Sequence, residues 1–421
     1  MSVYLVCHRI LKKSATFLHK KRLFTLANLC GALLSGANLS ITSLGRHHKG
    51  KGTVKSKINC VWHFLSKSTL HKATRDIYQS FGQTLMSGLN EIVILVDWSG
   101  CCSKDTWLLR GSLSYDGRSI PIYNEVYPSK DYNNHKAHIN FLNQLERLIP
   151  EGKKVTVVTD GGFKSPWFKA IEKKGWKYTG RVRGRTAYRL KDERKWGKLS
   201  ELFALAIENT ALYLGIGDLA KQTSSRLSCH FIVYKGTPKG RTFKKKKNSV
   251  YHPPTQKRYK ELNKEPWVLV TNMSPDELID YRGHESNKGK VFAKRVVKLY
   301  EKRMQIEQNF RDDKSPRYGF GWRFGKSEEI QIISGLCLIA TLATIISILI
   351  GTEAEKRQWH YKYQANTVKG YRVLSLVTLA KQVFLHQIKE LNAKFIKAAR
   401  SSLTENYNKL ITFETNYSEA A

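Results

Sequence analysis

The spacing of apolar positions changes period twice along the chain. From Lys21 to Leu34 apolar residues recur at helical intervals up to Gly36, and a short capped helix is predicted over Asn38 to Arg46. A basic, glycine-interrupted stretch from His47 to Lys57 then leads into a third helical run, Ile58 to Leu65. Helix, polar turn and basic helix is the order of a helix-turn-helix, an order that any small helical bundle also shares. Lys49, Lys51, Lys55 and Lys57 tip that balance toward DNA binding. Residues 1–88 thus read as a small helical domain.

From about residue 90 the period becomes that of strands. Ile92 to Val96 is an unbroken apolar run closed by Asp97. Thr106 to Tyr115 alternates, Asp116-Gly117 is a hairpin turn, and Ile120 to Val126 returns. A helix over Lys136 to Ile149 precedes a second buried strand, Val155 to Thr159, again closed by an acid, Asp160. A helix (Pro166 to Lys174) and a strand (Lys177 to Val182) follow. Three strands and then alternating helix and strand is the opening of an RNase H-like mixed sheet, so the fold class is α/β, with residues 89–184 as the first part of the core. Residues 185–295 break the order as a β-rich insertion, with strands expected at Ala211 to Gly215, Cys229 to Tyr234 and Trp267 to Thr271. The run Lys244 to Lys247 inside it is either a solvated loop or a phosphate contact. The chain turns helical from about Lys290, giving a second part of the core over 296–355 and a C-terminal helical region over 356–421. Within it, Ile330 to Ile350 carries no charge over 21 residues and meets the length of a membrane span. Gln331, Ser334, Thr341, Thr344 and Ser347, in so basic a chain, favour a buried core helix.

Charge narrows the class of partner. The 421 residues hold 72 Lys+Arg against 34 Asp+Glu, a formal net charge of +38, with the excess spread along the chain. This excludes a polycation as main partner and favours phosphate-bearing ones, nucleic acid ahead of an anionic membrane. A hydrophobic content of 41% excludes a disordered chain. The seven cysteines form no CxxC, and the adjacent pair Cys101-Cys102 suits neither an ordinary disulfide nor a zinc knuckle, so all are expected as free thiols in a reducing compartment. Apolar Met1 to Val6 precedes the basic residues, the reverse of a secretory signal. Gly321 to Ser327 falls one residue short of a phosphate-binding Walker loop, with no strand leading into it. His47-His48 and the His135/His138 pair lack a Cys or carboxylate at ligand spacing.

Asp97 and Asp160 each close an apolar strand, which places both carboxylates at one edge of a sheet. Oxygen ligands so placed can share a hard divalent cation; a strand-end Asp also serves as an ordinary turn former. A third acid decides between the two. Tyr300, Arg303, Glu307 and Lys314 stand in the spacing Y-x2-R-x3-E-x6-K, which on one continuous helix spans an arc of about 60°. An acid among a phenol, a guanidinium and an ammonium can hold metal beside phosphates; it can also be a salt-bridged exposed face. Ser315-Pro316 ends this helix.

The spacing resembles the YREK signature of the insertion-sequence-four family of DDE transposases. Further strings resemble that family: LVDWS (Leu95 to Ser99), GFKSPWFKAIEKKGW (Gly162 to Trp176), RVRG (Arg181 to Gly184), EPWVLVTN (Glu265 to Asn272), KRMQIEQNFRD (Lys302 to Asp312) and QANTV (Gln364 to Val368). The resemblance implies that Asp97, Asp160 and Glu307 are catalytic metal ligands for two Mg²⁺ ions, with Mn²⁺ as substitute. It implies that Tyr300, Arg303 and Lys314 grip DNA near the cleaved end, and that Arg183 contacts DNA. Trp267 becomes the insertion-domain Trp on which a flipped base stacks; a buried core Trp is the alternative. The implied activity is cut-and-paste transposition: hydrolysis, hairpin formation and opening at the transposon ends, and strand transfer. The implied partners are double-stranded DNA, as terminal inverted repeats bound by residues 1–88 and as target, and a second copy of the chain; no membrane is involved. The implied setting is the bacterial cytoplasm, on the nucleoid. Two rivals share the residues: an RNase H-like nuclease that cuts without joining, and a catalytically inactive, transposase-derived DNA-binding protein.

Overall fold

Side-chain caps start the first helices. Ser2 accepts from the Leu5 amide at the start of α1 (Val3–Ser14), and α2 follows at Lys20–Leu34. Ser40 caps α3 (Ile41–His47) through the Ser43 amide, and Thr53 caps α4 (Val54–Ser66) through that of Ser56. Thr53 therefore begins α4 four residues before its apolar run, and Lys55 and Lys57 lie on the helix rather than in the turn. A Cβ at Gly45 would stand 2.6 Å from the Ile58 Cα, so only glycine lets α3 and α4 cross this closely. Helix α5 spans Ser68–Met86.

The computed structural model describes residues 2–101, 105–184, 186–237, 265–277, 284–317, 319–365 and 367–415. Cys102, the run Lys244 to Lys247 and Asn366 of the QANTV string lie outside them. The chain divides into two compact units, Met1–Val155 with Arg303–Phe413, and Thr156–Lys302 with Glu414–Ala421.

In the first unit β1 (Glu91–Gly100), β2 (Thr106–Leu113) and β3 (Ile120–Pro128) form an antiparallel meander in the order β3-β2-β1. Asp97 lies within β1 and does not end it, because pairing with β2 continues through Gly100 opposite Trp107. Helix α6 (His135–Leu148) covers one face, its Phe141 ring 5.2 Å from that of Tyr123.

In the second unit β4 (Lys154–Thr159) runs parallel to β5 (Lys177–Val182), joined through α7 (Ser165–Glu172). The strands of the insertion extend this same sheet. β10 (Trp267–Thr271) pairs with β5, then come β9 (Leu227–Tyr234), β8 (Ala211–Leu219), β6 (Ala187–Leu190) and β7 (Gly197–Lys198), all antiparallel. The short β6 and β7 carry too few residues for their period to be read from sequence. Helix α8 (Glu285–Glu301) packs on β5, β8, β9 and β10.

The predicted single helix over Tyr300 to Lys314 is two helices. α8 ends at Glu301 and α9 runs Met304–Lys314. Lys302 and Arg303 keep right-handed dihedrals, but the turn tightens as the Ile306 amide donates to the Arg303 carbonyl three residues back. The side-chain period continues through the break, which hides it in the sequence. Ser315 caps α9, as its Ser-Pro end requires.

The apolar segment forms α10 (Ile330–Lys356), long and apolar enough to cross a membrane but buried from Ile332 to Ala354 apart from partly covered Ser334. It is wrapped by α2, α4, α5, β3 and α11 (Leu376–His386). Thr344 and Ser347 are satisfied within the helix, donating to the carbonyls of Ala340 and Ala343, four residues back. The last helix is α12 (Ala393–Thr415), whose Tyr407 hydroxyl accepts from the Val93 amide of β1 at 3.0 Å.

Candidate active site

Register builds the first half of the site. Asp97, Arg110 and Asn124 are cross-strand partners on β1, β2 and β3, so their side chains form one row on one face of the meander. The neighbouring row, with Trp98, faces α6, where the Trp98 indole donates to His138 Nε2 at 3.0 Å. Burial holds His138 neutral and lowers its pKa to about 4.

Helix α9 lies on the Asp97 face. Arg303 Nη1 stands 3.4 Å from Asp97 Oδ2, and its Nη2 stands 2.6 Å from Glu307 Oε1. One guanidinium therefore joins the first and third predicted acids. Asp97 Oδ1 also accepts from the Trp98 amide at 2.8 Å. The Asp97 carboxylate is 13% exposed and that of Glu307 40%, so the pair has one buried wall and one open side. Two helical turns beyond Glu307, on the same face, Lys314 Nζ donates to Ser99 Oγ at 2.7 Å, and Ser99 follows Asp97 on the same side of β1. Burial lowers the Lys314 pKa below its ordinary value. Asp97, Arg303, Glu307 and Lys314 are thus brought together in the first unit.

The second unit holds the others. Asp160 follows directly on β4, and its Oδ1 accepts from the Gly162 amide at 2.9 Å, which shapes the loop after the strand. A Cβ at Gly161 would stand 2.8 Å from the Arg183 Cδ, so Arg183 lies over the backbone next to Asp160. Arg183 Nε is 3.4 Å from Glu265 Oε2, which also takes Arg181 Nη2 at 2.9 Å. Trp267 packs edge-on against Tyr300 at 4.9 Å between ring centroids, with Tyr234 tilted on it at 5.5 Å. Tyr300 is buried; Trp267 keeps part of its surface.

Several residues at this site escape a motif search. Arg110 is 1% exposed and makes an ion pair with Asp313 at 2.7 Å. Gln305 Oε1 accepts from Ser114 Oγ and from the Tyr115 amide, at 3.1 and 2.9 Å. Arg118 pairs with Asp312 at 2.7 Å. A signal existed: Arg110 is the lone charge in an apolar strand, and Asn309 and Asp313 are four residues apart on one helix face.

Residues 108–342, more than half of the chain, match the sequence model of the transposase DDE domain family, and the chain belongs to that family. The mixed α/β fold is of the RNase H-like kind expected of such a transposase. No curated protein matches the chain. Family membership makes it a DNA-acting transposase whose family typically works with divalent metal ions.

Among the described residues no three His, Cys, Asp or Glu side chains are gathered as a set of metal ligands. Even so, the donor chemistry fits a hard divalent cation. Asp97 and Glu307 offer carboxylate oxygens that already converge on one positive charge, the Arg303 guanidinium.

Proposed function

We propose that the chain is a cut-and-paste DNA transposase of the insertion-sequence-four kind, its local strings resembling those of the transposase of transposon ten. Asp97, Asp160 and Glu307 are its metal-holding carboxylates. The observation that carries the reading is the convergence of Asp97 and Glu307 on Arg303, at the spacing of the YREK signature. Two Mg²⁺ ions, or Mn²⁺ in their place, would supply an activated water or DNA 3′-hydroxyl and neutralise the leaving oxygen.

The chain's own residues do the rest. Arg303 balances the two carboxylates in the DNA-free chain and offers the same fork to a phosphate. Lys314, steered by Ser99, carries a point charge for the DNA backbone, and Arg183 reaches it from the loop after β5. Trp267, backed by Tyr300, offers a ring face to a base swung out during hairpin formation. Helix α4 presents Lys55, Ser56 and Asn59 outward, as end recognition by residues 1–88 requires. The working form is a dimer on paired transposon ends, acting on the bacterial nucleoid.

The test is a labelled duplex carrying the element's own end, incubated with protein and Mg²⁺ and resolved on a denaturing gel. A nick and then a hairpin-length product are expected. Asp97→Ala, Asp160→Ala and Glu307→Ala should each lower nicking by about a thousandfold or more while DNA binding persists. Binding without any cut, in Mg²⁺ or Mn²⁺, would move the chain to the inactive DNA-binding class.

A further inference from the structure

Among the described residues of the first unit Arg110 is the most buried charge, 1% exposed, and it stands in the same cross-strand row as Asp97. Its Nε donates to Asn124 Oδ1 at 2.6 Å, within the sheet. Its Nη1 reaches across to α9, donating to Asn309 Oδ1 and pairing with Asp313 Oδ2 at 2.7 Å. The guanidinium also lies over the Phe310 ring, 4.7 Å from its centroid. Asn124 is itself fixed by α10, donating to Thr341 Oγ1 at 2.6 Å. One planar cation thus ties the strand beside Asp97 to three residues of the helix that carries Glu307 and Lys314.

We infer that Arg110 is a positioning residue for the reaction: with Asn309 and Asp313 it clamps the rotation of α9, and so the place of the Glu307 carboxylate beside Asp97. The inference rests on the transposase reading of that carboxylate pair.

Apolar packing would hold α9 down as well, and a buried ion pair is weak ground for stability, since apolar groups of similar volume often replace one at no cost. Apolar contact, however, is non-directional. A rotation of α9 by about 20° would carry a carboxylate at its surface by about 2 Å, well beyond the roughly 0.5 Å within which a site must be held. A planar guanidinium held by Asn124, with a hydrogen bond to Asn309 and an ion pair to Asp313, resists that rotation; a greasy contact does not. Gln305, bound to Ser114 and Tyr115, holds the opposite end of α9, so the helix is pinned on both sides of Glu307.

The test compares wild type with Asn309→Ala, Arg110→Lys and the paired Arg110→Met with Asp313→Leu. Single-turnover nicking, DNA affinity, melting temperature and Mn²⁺ binding to the DNA-free chain by electron paramagnetic resonance are measured on each. Lysine keeps the charge but not the fork. Asn309→Ala and Arg110→Lys should lower nicking ten- to a hundredfold and weaken Mn²⁺ binding about tenfold, with DNA affinity within threefold of wild type. The apolar pair should melt near wild type and show the same losses. A folded apolar pair with wild-type nicking and Mn²⁺ affinity overturns the clamp and leaves the transposase reading standing. Should that pair not fold, Asn309→Ala and Arg110→Lys decide alone, and normal Mn²⁺ affinity in both overturns it. A wild-type chain that binds Mn²⁺ but never nicks removes the transposase reading, and the clamp is then judged on Mn²⁺ affinity.

Discussion

Two carboxylates that share one guanidinium are kept close by an internal cation. Removing Arg303 would leave Asp97 and Glu307 as facing like charges, which an added cation relieves. Arg303→Ala is therefore expected to tighten Mn²⁺ binding by the DNA-free chain several-fold while lowering nicking tenfold or more, a direction opposite to that of Asn309→Ala. Titration of the free chain with Mn²⁺ beside a nicking assay checks both. Arg183 poses a second question at this scale. Because its Cδ fills the space a Cβ at Gly161 would take, Gly161→Ala and Arg183→Ala should lower activity by similar factors and combine less than additively. A double-mutant cycle on the nicking rate reads this directly. Asp97 and Asp160 drew attention as acids closing apolar strands and Glu307 by its spacing from Arg303, while their grouping as one set came from the family resemblance. That Arg303 pairs with both Asp97 and Glu307 was not legible, because β1 and α9 are far apart in the chain.

Elements kept their sequence signatures where pattern and length were strong. The strands at Lys177–Val182 and Trp267–Thr271 fall where alternation and apolar runs predict them. The break at Lys302–Arg303 was invisible, because a tightened turn preserves the side-chain period. It puts Tyr300 on α8 and Glu307 on α9, so the YREK residues do not share one helix. Tyr300 instead shares a packing partner with β10, the Trp267 ring. If Trp267 receives a flipped base, Trp267→Ala should nick at the wild-type rate and stall before the hairpin. A gel that resolves nicked strand from hairpin product tests it, and a normal hairpin yield would return Trp267 to the core. The loss expected from stacking alone is about 1–3 kcal/mol.

At the scale of the whole molecule, charge and core set the expectations. A formal charge of +38 predicts that affinity for duplex DNA falls by about 10³-fold or more between 50 and 200 mM salt, as counterion release requires. A filter-binding series in NaCl measures that slope. Stability should also respond to acid through His138. Its folded pKa of about 4 lies below the ordinary histidine value of about 6.5, so the unfolded chain binds its proton first. Stability from this group is present above pH 6.5 and is lost as pH falls toward 4, on the order of 3 kcal/mol in total. His138→Gln, which can still accept the Trp98 indole N–H without titrating, should flatten that window in denaturant melts at pH 7, 5.5 and 4.5.

The sequence by itself determined the local structure and the chemistry on offer. Period marked most helices and strands, caps and Ser-Pro marked ends, and strand ends and the spacing around Glu307 drew attention to three acids and their cationic neighbours. It also marked α10 as apolar, and its polar residues argued for a core rather than a bilayer. Only the tertiary structure decided which residues meet. Cross-strand register put Arg110 and Asn124 in the row of Asp97. Docking of α9 on that row brought Arg303 between two acids and Lys314 to Ser99. The reason is physical: period and capping act between residues a few positions apart, whereas pairing and burial act between segments that the chain brings together only on folding.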